Sequence, residues 1–130
     1  MRAVAQKAAS VLLSNYNFNM LSRSRRLSTE QLDSVMKKGK ISHSSLFLMR
    51  VFSGQTDTRI AAIAPKKTIK MSTTRNAVRR KVYNATKTLI REIIPGTHIA
   101  LFAKQATTNA KLVDIENNIK TLFVKAGLLG

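Results

Sequence analysis

Between Asp57 and Glu92 the chain carries no acidic residue, yet apolar side chains recur there at Val78, Val82, Ala85 and Leu89, and next at Ile93. That spacing places all five on one stripe of an α-helix. The segment therefore reads as a helix with one greasy face on a sheet, carrying its charge elsewhere. The charge is heavy: Lys66, Lys67, Lys70, Arg75, Arg79, Arg80, Lys81, Lys87 and Arg91. Asn76, Arg80, Tyr83, Lys87 and Arg91 recur at nearly the same spacing on the opposite face, with Arg75 and Arg79 on the flank. The helix starts near Thr73 or Thr74 and stops before Pro95-Gly96. Unbalanced cations on one ordered element repel each other, which is tolerable when an anionic partner lies against them.

The whole chain points the same way. Its 130 residues suit a single domain with a modest core, and 44% of them are hydrophobic. That share is globular, so a net charge of +17, from 23 Lys and Arg against six acids, is not the mark of a disordered tail. Nucleic acid is the favoured partner, duplex DNA or an anionic membrane surface the competitor. Cysteine is absent, which removes disulfides and thiolate sites and suits a cytoplasmic setting. No apolar run approaches the roughly 20 residues of a spanning helix.

Residues 1–19 differ from the rest: Arg2 and Lys7, much Ala, Ser and Asn, and no acid. An organellar targeting segment has this composition, and a signal peptide would need a longer apolar core. The favoured reading is a flexible extension, or an upstream start, before one RNA-binding domain over residues 20–130.

Ser28-Thr29-Glu30-Gln31 reads as a helix start, because a Ser cap is answered by an amide that reaches back. Leu32, Val35 and Met36 make its apolar stripe and Gly39 its stop. Leu46 to Phe52 and Ile60 to Ala64 read as strands that pair as an antiparallel hairpin around Ser53–Asp57. Ile99 to Ala103 is a third strand, and Val113 to Ala126 a last helix with Ile115, Ile119, Leu122 and Phe123 inward. The order helix-strand-strand-helix-strand-helix is an α/β (α+β) sandwich on a small mixed sheet.

Catalytic groups are hard to find. The acids Glu30, Asp33, Asp57, Glu92, Asp114 and Glu116 are scattered, and Glu30 and Asp33 are more simply partners of a helix dipole. His43 and His98 read as surface or packing residues. There is no Gly-x-Ser-x-Gly elbow and no Gly-rich phosphate loop. The reading assigns no catalytic and no metal-binding residue. Arg, with its planar fork, and Asn76 near a helix N-terminus suit phosphate instead.

Lys66-Lys67, a spacer, then Arg75-Asn76-x-hydrophobic followed by Arg79, Arg80 and Lys81 resembles the signature of the bacterial ribonuclease P protein component. Leu27 to Lys40 looks like that family's first helix and its stop, and Arg59 to Lys67 like its strand into the lysine pair. Pro95-Gly96 to Lys104 and Lys125-Ala126-Gly127-Leu128-Leu129 resemble its later turn, strand and ending. Order and spacing are kept from about Met20 to the C-terminus.

The resemblance implies this element order with a left-handed crossover between parallel strands. It implies a ribonucleoprotein in which a catalytic RNA, with Mg2+ bound mainly by that RNA, removes the 5′ leader of precursor tRNA; no obligate protein partner is evident in the sequence. Carried over, Lys66, Lys67, Lys70, Arg75, Asn76, Arg79, Arg80 and Lys81 would meet the catalytic RNA. Leu32, Met36 and Arg50 would line the leader cleft, at positions where relatives commonly carry two phenylalanines and a tyrosine. Ala77 replaces a frequent second arginine, and the spacer before Arg75 is one residue longer than in many members. The alternative is a structural RNA-binding protein of ribosomal or assembly-factor type.

Overall fold

The computed structural model describes residues 26–129, so the boundary drawn at residue 19 lies outside the described residues. Helix α1 (Thr29–Lys38) is followed by β1 (Lys40–His43), β2 (Phe47–Phe52) and β3 (Arg59–Ile63). Helix α2 (Ser72–Leu89), β4 (His98–Ala103), a 3-10 helix (Gln105–Asn109) and α3 (Leu112–Lys125) complete the order.

The start of α1 forms as its sequence dictates. Ser28 Oγ accepts from the Gln31 backbone N–H at 3.2 Å, and Gln31 Oε1 accepts from the Ser28 N–H at 2.8 Å. These two reciprocal bonds satisfy two otherwise orphaned donors. At the far end Gly39 donates its N–H to Val35 O, and a Cβ there would stand 2.4 Å from that same oxygen. Only glycine lets the chain turn directly from α1 into β1.

The sheet runs β1-β2-β4-β3, which corrects two expectations. The hairpin partner of β2 is β1, an edge strand absent from the sequence reading. Lys40-Ile41-Ser42-His43 buries too little to leave an alternating signal. The expected pairing of β2 with β3 does not occur, because β4 lies between them, antiparallel to β2 and parallel to β3. The segment after β2 is stitched to the turn before β4 instead. Gln55 N–H donates to Gly96 O, Gly96 N–H to Thr58 Oγ1 and Arg59 N–H to Thr97 O. Gly96 has φ +84°, and a Cβ on it would lie 2.3 Å from Gln55 O. Parallel pairing of β3 with β4 requires a crossover, and α2 supplies it.

Two cores result. Phe47, Met49, Ile60, Ile99 and Leu101 face α2 and α3, meeting Val78, Val82, Ile115, Ile119 and Phe123. On the other face Ala61, Ile63 and Ala100 lie against Leu27, Leu32 and Val35 of the α1 segment. The sandwich is therefore α1, sheet, then α2 with α3.

Helix α2 ends at Leu89, one turn earlier than expected, and its stripe is buried except for half-buried Leu89. Tyr83, expected on the outward face, is fully buried. Its hydroxyl accepts from the Ala62 N–H at 3.2 Å. Ala62 lies on β3, the edge strand among the described residues, so this ring covers a backbone donor that no described strand pairs. Ile60, on the same edge, bridges to Arg26.

Candidate nucleic-acid interface

Helix α2 begins without a side-chain cap and without an acid in its first turn. Its N-terminal donors therefore face solvent or a ligand, at the positive end of the helix dipole. Lys66, Lys67 and Lys70, in the segment that leads into it, are all exposed, as are Arg80 and Lys87. This outer band carries only cations.

The other predicted residues are arranged more deeply. Arg75 is half-buried and folds back, its Nη1 donating to Lys70 O at 2.7 Å and Ile69 O at 3.0 Å. It thereby shapes the basic approach as well as charging it. Asn76 Oδ1 accepts from Arg79 Nη2. Arg79 is only 4% exposed, so its guanidinium faces inward and orients Asn76, while Arg80 faces out. Arg80 Nε reaches back to Asn76 O at 3.4 Å. Lys81, half-buried, donates to Ala110 O at 3.3 Å and ties α2 to the segment before α3.

Beside the start of α2 lies a shallow hollow of about 520 Å³, between Thr68, Lys70 and Thr74 on one side and Gln105, Thr108 and Asn109 on the other. The 3-10 helix that supplies the second wall was not foreseen. Its only signal was a polar run, Gln105-Ala106-Thr107-Thr108-Asn109, between a strand and a helix. Hydroxyls and amides beside lysines suit sugar and phosphate oxygens.

The three residues assigned to a second surface separate. Leu32 is fully buried in the core under α1 and presents no face to a ligand. Met36 and Arg50 are both half-buried and meet, with Arg50 Nη1 donating to Met36 O at 2.8 Å. Phe52 and Phe102, not singled out from the sequence, are half-buried there too and pack with Met36 on the smaller core. Alternation along β2 puts Leu48, Arg50 and Phe52 on one face, and this was the available signal.

At the far corner Asp57 accepts from Arg59 Nε at 2.6 Å and lies 3.1 Å from Nε2 of buried His98. The hydrogen bond to His98, then that to Arg59, holds the Asp57 carboxyl below its ordinary value of 3.8. Arg59 Nη1 also donates to Arg26 O, fastening the entry to α1. The group is structural. Among the described residues no helix is long and apolar enough to cross a membrane.

Comparison with known proteins agrees with this geometry. A family model described as Ribonuclease P matches residues 20–127. The RNase P protein of Staphylococcus aureus superposes with TM-score 0.71 at 17% identity, covering 84% of this chain and 100% of that one. The RNase P protein from Thermotoga maritima superposes with TM-score 0.66 at 18% identity, covering 77% and 96%. At that identity the two structures show the shared fold. No curated protein sequence matches the chain.

Proposed function

The chain belongs to the ribonuclease P protein family, whose members work with an RNA in a tRNA-processing ribonucleoprotein, and from that premise we propose how its surfaces divide the work. The band formed by Lys66, Lys67, Lys70, Arg75, Asn76, Arg80 and Lys81 binds the catalytic RNA. The rim at Met36 and Arg50 receives the single-stranded 5′ leader of precursor tRNA, with Leu32 supporting it from beneath. Residues 20–130 act as one RNA-binding domain.

The observation that carries this reading is the exposed cationic band on and before α2, uninterrupted by any acid between Asp57 and Glu92. Arg75 and Asn76 are held by neighbours on their own helix and its approach, so they meet a phosphate backbone already ordered. Preorganised donors lose less entropy on binding. Release of counterions from the RNA then supplies affinity.

Hydrolysis is assigned to the RNA, with Mg2+ polarising the reacting phosphate when it is bound there. Among the described residues no three His, Asp or Glu side chains gather to hold such an ion. Its part is to bind, orient and neutralise.

Cleavage of a precursor tRNA by a bacterial-type ribonuclease P RNA at low magnesium, with and without this protein, tests the proposal. Restored cleavage at the 5′ boundary is the expected result. Tight RNA binding without stimulation would refute it and leave a structural RNA-binding role.

A further inference from the structure

The hollow beside the start of α2 has two walls of different chemistry. One, from α2 and its approach, carries Lys70 and Met71, and Met71 is 65% exposed and belongs to neither core. The other is the 3-10 helix, where a period of three residues puts Gln105 and Thr108 one above the other. Thr107 turns away from them: it is fully buried, and its Oγ1 donates to Lys104 O at 2.6 Å. Lys104 Nζ donates in turn to Ser44 O at 2.7 Å, and Lys81 Nζ to Ala110 O at 3.3 Å. Both ends of this wall are thereby fixed, one to the β1–β2 turn and one to α2. No acid lines the hollow.

Hydroxyls and amides in a turn are ordinarily solvated or bonded to the turn itself. That accounts for Thr108, whose Oγ1 donates to Gln105 O at 2.8 Å. It does not account for Gln105 and Asn109, exposed on a fixed wall, whose amides bond to no other described residue. Nor does it account for an exposed thioether on the facing wall. An amide sets a donor beside an acceptor, which matches the edge of an unpaired base and finds nothing to bond on a paired one. A thioether packs favourably against an aromatic ring. At about 520 Å³ the hollow has room for one group of small-molecule size, a nucleotide and not a helix. The cationic band holds any phosphate backbone and so positions RNA without reading it; base contacts are what specify.

We infer that the hollow admits one unpaired nucleotide of the catalytic RNA, with its base on Met71, the exposed edge of that base on Gln105 and Asn109, and its phosphate at Lys70. The inference rests on the reading of the α2 band as the face that meets this RNA, and it adds a division of labour. The band supplies affinity, and the hollow fixes the register in which the RNA lies on it. A paired region laid on the same band would satisfy the lysines and leave both amides unused.

The chain has no cysteine, so a single introduced one carries a photo-crosslinker at one defined place. Thr108→Cys and, as a marker of the band, Lys67→Cys are each assembled with ribonuclease P RNA and bound to precursor tRNA. The crosslink from position 108 should fall on one nucleotide in an unpaired segment of the catalytic RNA. The double variant Gln105→Ala/Asn109→Ala should bind that RNA on the order of tenfold more weakly at every salt concentration. Its salt slope should stay that of wild type, because neutral amides displace no counterions. An abasic residue at the crosslinked nucleotide should cost the wild-type protein a similar factor and the double variant nothing further. A crosslink from position 108 to paired nucleotides or to the precursor, or none while position 67 crosslinks, would overturn the inference and leave the band standing. Additive losses in the abasic comparison, or a double variant with wild-type affinity, would overturn it too. No RNA crosslink from either position would refute the band reading itself, and the inference with it.

Discussion

Adjacent residues Arg79 and Arg80 look alike in sequence but differ in burial, and that difference makes a sharp test. Arg79 is 4% exposed and donates to Asn76 Oδ1, whereas Arg80 is exposed. Replacing Arg79 by Ala removes a hydrogen bond from a charged donor, a loss of about 1.5–3 kcal/mol, before any packing cost. For a domain of this size, at about 4–8 °C per kcal/mol, the melting temperature should fall by about 6 °C or more. Arg80→Ala strips an exposed side chain and should stay within about 0.5 kcal/mol of wild type. The RNA readout should be reversed. Arg80→Ala should flatten the salt dependence of binding to the catalytic RNA by about 0.7–0.9 in log–log slope. Arg79→Ala, measured well below its melting temperature, should keep that slope, because its guanidinium does not reach a phosphate. Thermal melts and salt titrations of the two proteins side by side decide the matter. An Arg79→Ala protein that melts like wild type but loses a unit of slope would show that Arg79 turns outward to RNA, and the inward assignment would fall.

Three further outcomes follow from the packing. Tyr83→Phe leaves the Ala62 N–H buried without its acceptor and should cost about 1–3 kcal/mol, seen in chemical denaturation and as faster hydrogen exchange at Ala62. Asp57 is stabilising in its ionised form, since His98 and Arg59 lower its pKa. The stability gap between wild type and Asp57→Asn should therefore be full above pH 3.8 and close as pH falls through the depressed value; a gap that widens in acid would contradict the pairing. Gly96→Ala places a side chain at φ +84° and against Gln55 O, and should destabilise by more than about 1 kcal/mol in urea melts.

What the sequence disclosed, and what it hid, follows burial. Helices α1, α2 and α3 were legible because each packs one face on the sheet and so carries a period near 3.6 residues. Strand β1 was not, since an exposed edge has no need of alternation. The strand order was hidden for a different reason. It depends on bonds between Gln55–Arg59 and Gly96–Thr97, some forty residues away, and no local pattern records such a pairing. Tyr83 misled because its ring sits among the polar positions of α2 while its hydroxyl serves the edge of β3. A tyrosine can satisfy both demands, and periodicity sees only one of them.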